Sequence, residues 1–133
     1  MLALIILLAA GTPVHPSDAE AKKLYGAIWS DLQLNGMIGN GAWLASLWVN
    51  AGDTGHIRDL TCDGLVAPYR CTFRLARDGG PAKVFGEDAP EALICEAKFV
   101  VAEDEKSLAV DHLPPLNGIG HSRTTMKCDR PPS

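Results

Sequence analysis

The spacing of hydrophobic positions changes once along this chain of 133 residues. From Asp18 to Leu34 apolar residues recur at helical spacing, which predicts an amphipathic α-helix with Ser17 as its N-cap. Its predicted apolar face comprises Ala21, Leu24, Tyr25, Ile28, Trp29 and Leu32. Lys22, Lys23 and Asp31 are assigned to the polar side. Asn35-Gly36 is a natural stop, because glycine tolerates the left-handed conformation at a helix C-terminus.

A glycine-rich segment, GMIGNG, separates this helix from a second apolar run, AWLASLWVN. In that run Trp43, Leu44, Leu47 and Trp48 again fall at helical spacing. The pattern predicts either a second short helix or a continuation of the first after a kink.

Beyond residue 55 the hydrophobic period becomes two, as in strands with one buried face. The alternation is clearest at residues 69–76 and 93–101, and we expect further strands at 56–62, 107–113 and 121–128. A helical first third followed by strands predicts an α+β fold. The expected architecture is one helix packed on a four- to five-stranded antiparallel meander.

The first ten residues, MLALIILLAA, are apolar but too short for a membrane-spanning helix, which needs about 20 residues. They match the hydrophobic region of a signal peptide, although no Lys or Arg precedes them. We predict a signal peptide at 1–10, with a cleavage boundary between 10 and 21, and a single domain at 17–133. The alternative is a buried N-terminal strand.

The four cysteines are separated by 8, 23 and 32 residues, spacings that suit neither a zinc site nor a redox C-x-x-C pair. An even number of cysteines in an exported chain is typical of disulfides. The strand pattern favours the pairs Cys62–Cys71 and Cys95–Cys128, and we expect a bacterial protein that is periplasmic or secreted.

The net charge of −4 gives no support to nucleic-acid binding, and we expect no membrane span once the signal is removed. Basic residues nevertheless share the predicted outer side of the strands, opposite the cysteines. The candidate binding surface for a protein or an anionic envelope component is either this basic face, with Arg70, Arg74, Lys98, Arg123 and Lys127, or the segment that carries Trp43 and Trp48. The simpler interpretation is a solvated face whose charges pair across strands.

One cluster of residues could carry chemistry: Asp111, His112, His121 and Ser122 flank a single connecting loop. They include the residue types of a Ser-His-Asp set, but no G-x-S-x-G turn presents the serine and no third zinc ligand is evident. The glycine-rich segment fits no nucleotide-binding motif. We therefore predict no cofactor, no metal and no catalytic residues.

The leading hypothesis is a small exported, disulfide-linked, non-catalytic domain that binds a partner. A hydrolase or metal-dependent enzyme using Asp111, His112, His121 and Ser122 is the first alternative. The second is a carrier that holds a small apolar ligand between helix and sheet.

Overall fold

The computed structural model describes residues 13–35, 55–77, 82–84, 86–120 and 122–132. The predicted signal peptide, the predicted second helix and the residues Trp43, Trp48 and His121 lie outside these ranges. The described part has the predicted α+β architecture, in which one helix packs against a five-stranded antiparallel sheet.

Helix α1 spans Asp18–Asn35 and begins where its cap predicts. The hydroxyl of Ser17 accepts a hydrogen bond from the backbone N–H of Glu20 at 3.2 Å, which satisfies one of the donors exposed at a helix start. One face of α1 is buried, with Leu24, Ile28 and Leu32 at most 2% exposed. This buried face packs against the sheet and holds the helix to it.

The strands follow the helix in chain order. They are β1 (Gly55–Cys62), β2 (Tyr69–Arg77), β3 (Ala82–Val84), β4 (Glu87–Ala89), β5 (Ala92–Val101), β6 (Leu108–Val110), β7 (His112–Leu113), β8 (Arg123–Thr124) and β9 (Lys127–Asp129). The main sheet has the order β1-β2-β5-β6, with β9 also paired to β5. The short pairs β3-β4 and β7-β8 form separate two-stranded ribbons.

The centre of the sheet is the long antiparallel pair β2 and β5, which runs from Tyr69 opposite Phe99 to Ala76 opposite Ala92. Buried and exposed residues alternate along both strands, as predicted. Residues of the buried rows meet the apolar face of α1 in one continuous core. Among its most deeply buried members are Phe73, Leu75, Leu93, Cys95, Phe99 and Met126.

Both disulfides link residues that lie directly opposite each other on neighbouring strands. Cys62–Cys71 joins β1 to β2, and Cys95–Cys128 joins β5 to β9. Both predicted pairings are therefore confirmed. Disulfides persist in oxidising compartments, so this pair suits a protein that works outside the reducing cytosol.

The last part of the chain departs from a simple meander. The outer edge of β5 is shared, because β6 pairs with residues 99–101 and β9 pairs with residues 94–96. Between them, the strands expected at 107–113 and 121–128 each divide into two short pieces. The chain leaves the sheet after Val110, forms the β7-β8 ribbon, and returns to the sheet at Lys127.

A side chain fills the gap that this departure opens in the sheet. The backbone N–H of Lys98 donates to the hydroxyl of Thr125 at 3.2 Å, and the carbonyl of Lys98 accepts from the backbone N–H of Asp111 at 2.7 Å. The backbone of β5 is thus satisfied where neither β6 nor β9 reaches it.

A hydrogen bond also ties the start of α1 to β2. The hydroxyl of the buried Tyr69 donates to a carboxylate oxygen of Glu20 at 2.7 Å. Burial, the hydrogen bond to Glu20 and the charge of that carboxylate together raise the pKa of Tyr69 well above its ordinary value.

Removing the disulfides in pairs should reveal their unequal contributions. The sequence separations are 33 for Cys95–Cys128 and 9 for Cys62–Cys71. Loop-closure entropy then predicts losses of about 4 and about 2.5 kcal/mol in the free energy of unfolding for the double alanine variants. Urea denaturation of each variant measures this difference. Equal losses would show that the closed-loop length does not control the effect.

Alkaline pH should destabilise the protein through Tyr69. Tyrosine in an unfolded chain loses its proton near pH 10, whereas folded Tyr69 retains its proton to higher pH. The stability that Tyr69 contributes is therefore fully present below about pH 10 and falls as the pH rises above it, because only the unfolded state ionises there.

The chain has two tyrosines, so a Tyr25→Phe background lets ultraviolet absorbance report on Tyr69 alone. We expect ionisation well above pH 10, and a lower midpoint when Glu20→Gln is added. A midpoint near pH 10 in the Tyr25→Phe protein would contradict the buried contact.

Candidate functional site

Three arginines line an open cleft of about 620 Å³ near the end of β2 and the start of β5: Arg74, Arg77 and Arg130. The remaining lining residues are Ala76, Pro90, Glu91, Ala92 and Pro131. The lining therefore combines the exposed Arg74 and Arg130 with the largely buried Arg77, one glutamate and small apolar residues. This combination suits a ligand that carries anionic groups on a partly apolar backbone.

Sheet register explains why the arginines meet. Ile94 on β5 lies opposite Arg74 on one side and opposite Asp129 of β9 on the other. Arg130 follows Asp129 directly, so the C-terminal segment brings it to the same end of β5. Arg77 ends β2 and is 8% exposed. The arginines thus come from two distant segments of the sequence, β2 and the C-terminal segment, which meet at this end of β5.

Arg77 and Arg130 were not among the predicted site residues. The signal available in the sequence was weak for both: Arg77 occupies an inward position of the β2 alternation, and Arg130 belongs to the tail DRPPS. Their convergence depends on β9 returning to β5, which the predicted meander did not include.

The predicted basic surface is divided by the structure. Arg70 and Arg74 are exposed on β2, Lys98 lies directly opposite Arg70 on β5, and Lys127 is exposed on β9. These four therefore share the outer face of the main sheet. Glu96 lies between them, opposite both Thr72 and Lys127, so the face is of mixed charge with a basic excess at Arg70 and Lys98.

Arg123 is not part of this face. It belongs to β8 in the separate β7-β8 ribbon, is half-buried, and donates from Nε to the carbonyl of Pro114 at 3.1 Å. Its position differs from the prediction because the strand expected at 121–128 joins the main sheet only at Lys127. The tryptophans of the predicted surface lie outside the described residues.

A second candidate site is a chain of polar side chains that connects α1 to the β7-β8 ribbon, which we call the serine–histidine–aspartate relay (Ser122, His112 and Asp31). The Ser122 hydroxyl lies 2.8 Å from Nδ1 of His112, and Nε2 of the same ring lies 2.6 Å from Oδ1 of Asp31. The other carboxylate oxygen of Asp31 accepts from the hydroxyl of Thr124 at 2.6 Å.

The fold positions each member of the relay. His112 and Thr124 are opposite each other in the β7-β8 ribbon. Thr125, the residue after β8, anchors this ribbon to the residue before β7. Its hydroxyl donates to the carbonyl of Asp111 at 2.8 Å, and its backbone N–H donates to the same carbonyl at 3.0 Å. The anchored ribbon faces α1 at the level of Asp31, near the end of the helix.

The carboxylate of Asp31 orients the imidazole. A carboxylate can only accept hydrogen bonds, so Nε2 of His112 must carry the proton that it shares with Oδ1. When Nε2 is the donor and the ring is neutral, Nδ1 is an acceptor, and the Ser122 hydroxyl donates to it. Asp31 is 5% exposed and Ser122 is exposed, so the relay leads from the core to the surface.

The relay contains only two of the residues that the sequence had placed together, His112 and Ser122. Asp111 instead directs its carboxylate to Nζ of Lys98 at 3.7 Å, and His121 lies outside the described residues. Asp31, assigned to the polar side of the helix, is buried. The burial of Asp31 could have been predicted from helical spacing. Asp31 follows Leu24 by seven positions and Ile28 by three, so it shares their face of the helix.

Two further classes of site can be judged within the described residues. They contain no group of three or more His, Cys, Asp or Glu side chains that could hold a metal ion. None of the helices described for this chain is both long and apolar enough to cross a membrane.

The interface between α1 and the sheet is filled by Leu24, Ile28 and Phe99, none of which is measurably exposed.

No family model, curated protein or solved structure matches this chain. The arginine cleft and the relay are therefore assigned from their own geometry.

The relay should contribute to stability through its buried end. Thr124→Val keeps the volume of the side chain but removes the hydroxyl that donates to Asp31. Leaving a buried carboxylate oxygen without this donor should lower the free energy of unfolding by about 1–3 kcal/mol.

The matched control is Thr72→Val, which removes an exposed hydroxyl that pairs with Thr61 at 3.0 Å. We expect a loss below about 1 kcal/mol there, because water replaces the lost partner. Urea denaturation of both variants measures the difference. Equal losses would show that Asp31 does not depend on the Thr124 hydroxyl.

Proposed function

We propose that this protein is an exported binding domain whose arginine cleft holds an acidic segment of a partner protein. The observation that carries the proposal is the convergence of Arg74, Arg77 and Arg130 on one open cleft in a protein of net charge −4. Basic side chains concentrated in one cleft of an acidic protein indicate a local requirement for anions rather than a general basic character.

The guanidinium group selects the chemistry of the partner. Its planar fork donates paired hydrogen bonds to carboxylates and phosphates, and such charge-assisted bonds are stronger than neutral ones. Glu91 in the same cleft disfavours a densely charged phosphate polymer, since its carboxylate would repel the phosphates. Separated carboxylates, as in an acidic peptide, can contact the arginines and avoid Glu91.

Apolar surface around the arginines supports a peptide over a small inorganic anion. Pro90, Ala92 and Pro131 line the cleft between the charged groups, and Ile94 beside it is 43% exposed. A peptide with carboxylates and small apolar side chains would cover both kinds of surface. The basic residues Arg70 and Lys98 on the same sheet face extend the attraction beyond the cleft.

Export is supported by two features of the chain. The apolar leader MLALIILLAA matches the hydrophobic region of a signal peptide, and both disulfides belong to the oxidising conditions outside the cytosol. These features support a periplasmic or secreted location, which would place the cleft among envelope or extracellular proteins.

An NMR titration tests this function with a defined probe, a short peptide of alternating glutamate and alanine. We expect shifts concentrated at the amides of Ala76, Glu91 and Ala92, which line the cleft. The double variant Arg74→Ala/Arg130→Ala should weaken binding about tenfold for each arginine removed, because a hydrogen bond to a charged group contributes about 1.5–3 kcal/mol.

The charge-matched control is Lys22→Ala/Lys106→Ala, which removes two exposed lysines outside the cleft. This variant should retain the affinity of the wild type. Equal weakening of peptide binding in both double variants would show that net charge alone, and not the arginine cleft, controls the affinity. Preferential binding to vesicles of anionic phospholipid, with no shifts from the peptide, would reject the peptide in favour of an envelope surface.

A further inference from the structure

We infer that the relay of Ser122, His112 and Asp31 is a nucleophilic acyl-transfer site that hydrolyses small, unhindered carboxylic esters. This inference does not depend on the proposed binding function, because none of the three residues lines the arginine cleft. It rests on the order and the distances of the groups in the relay.

The geometry matches what a serine nucleophile requires. A hydroxyl must lie within hydrogen-bond distance of a base, and the base must be oriented by a third group. Ser122 Oγ is 2.8 Å from Nδ1 of His112, and Nε2 of His112 is 2.6 Å from Asp31. Both contacts are in place without any rearrangement of the described chain.

The relay is held rigidly at its buried end, Asp31, and is accessible to solvent at its other end, Ser122. Asp31 is held in the protein by its contacts to His112 and to the buried Thr124, so the ring that it orients cannot turn freely. The side chain of His112 is 21% exposed and Ser122 is exposed. The nucleophile is thus at the surface, while the group that orients its base is in the core.

The described loop residues that precede Ser122 are exposed to solvent. Gly118 and Gly120 both have positive φ angles, and a Cβ built on either would meet nothing within 4 Å. Ile119, between them, is an exposed apolar residue at 81%. These features favour small esters that reach the serine from solvent.

A purely structural latch would explain the buried half of the relay but not its exposed half. Thr124 and His112 already connect the β7-β8 ribbon to Asp31 on α1. The Ser122 contact adds a solvent-exposed hydrogen bond, which contributes little stability because water competes for both groups. Its consequence is chemical, since it directs the hydroxyl proton to a base.

The reaction balances with water as the only co-reactant. Ser122 Oγ bonds to the ester carbonyl carbon as its proton passes to Nδ1 of His112, and the tetrahedral intermediate then breaks its bond to the alkoxy oxygen, which takes that proton. Water next adds to the acylated serine and gives a proton to Nδ1. Cleavage of the Oγ–carbon bond releases the carboxylic acid, and Oγ recovers the proton.

The first test combines covalent labelling with turnover. A fluorophosphonate probe should label Ser122, as located by mass spectrometry of the digested protein, and p-nitrophenyl acetate should be hydrolysed. Ser122→Ala should abolish labelling and lower the hydrolysis rate about 100-fold or more, the range expected for loss of a base-assisted nucleophile. Ser30→Ala, an exposed helix serine, is the matched control and should retain both activities.

The second test separates the base from a structural role. His112→Ala should lose activity, and added imidazole should restore it in part. The double variant His112→Ala/Ser122→Ala corrects for hydrolysis by imidazole itself and should show no rescue. As a positioning residue, Asp31 is tested by Asp31→Asn, which should change the pH dependence of the labelling rate.

A result counts against the inference only if the variant that gives it is folded. Circular dichroism first establishes that each variant retains its fold. An unlabelled Ser122 in the wild-type protein, or hydrolysis at the same rate in Ser122→Ala, would overturn the inference. Neither result would affect the peptide titration, which probes residues at the opposite end of β5.

Discussion

The outer edge of β5 imposes the constraint on which the rest of the structure depends. This ten-residue strand is covered along one side by β2, but its other side is covered by two strands of three residues each, β6 and β9. The backbone at Lys98 falls between them and must find other partners. Thr125 and Asp111 supply these partners, and they can do so only if the chain between them turns away from the sheet and comes back.

That excursion creates both candidate sites. On its outward path it carries His112, and on its return Ser122 and Thr124, to the end of α1 where Asp31 is buried. On rejoining the sheet as β9 it places Cys128 opposite Cys95 and continues to Arg130 beside the first residues of β5. The one position on this edge of β5 that neither β6 nor β9 pairs therefore underlies the relay, a disulfide and the arginine cleft.

The sequence predicted those features that depend on local period. The helix from Asp18, the alternation in β2 and β5, and the pairing of cysteines on facing strands all follow from which residues repeat at which spacing. It did not predict that the last two strands each divide, or that β6 and β9 share one edge of β5, because strands of two or three residues have too few positions to show an alternation. The position of Arg130 depends on β9 and the role of Asp31 depends on the β7-β8 ribbon, so both were missed for this reason.

Asp31 also shows that the polarity of a residue does not always predict whether its side chain is buried. A charged residue in an amphipathic helix is most simply placed toward water, and buried carboxylates are uncommon unless they are hydrogen-bonded. Here the partners come from residues more than 80 positions later, and one of them, His112, is itself on a two-residue strand. The face of the helix, rather than the polarity of the residue, was the better guide.

Cys95–Cys128 has a consequence for the integrity of the protein when a protease attacks it. The bond closes a covalent ring with a sequence separation of 33, and the whole excursion, including the exposed loop at Gly118 and Ile119, lies inside it. A protease that cuts once within this loop cannot release either piece. The nicked chain stays joined through the sulfurs, with β9 and Arg130 still attached to the sheet, and only reduction would separate the fragments.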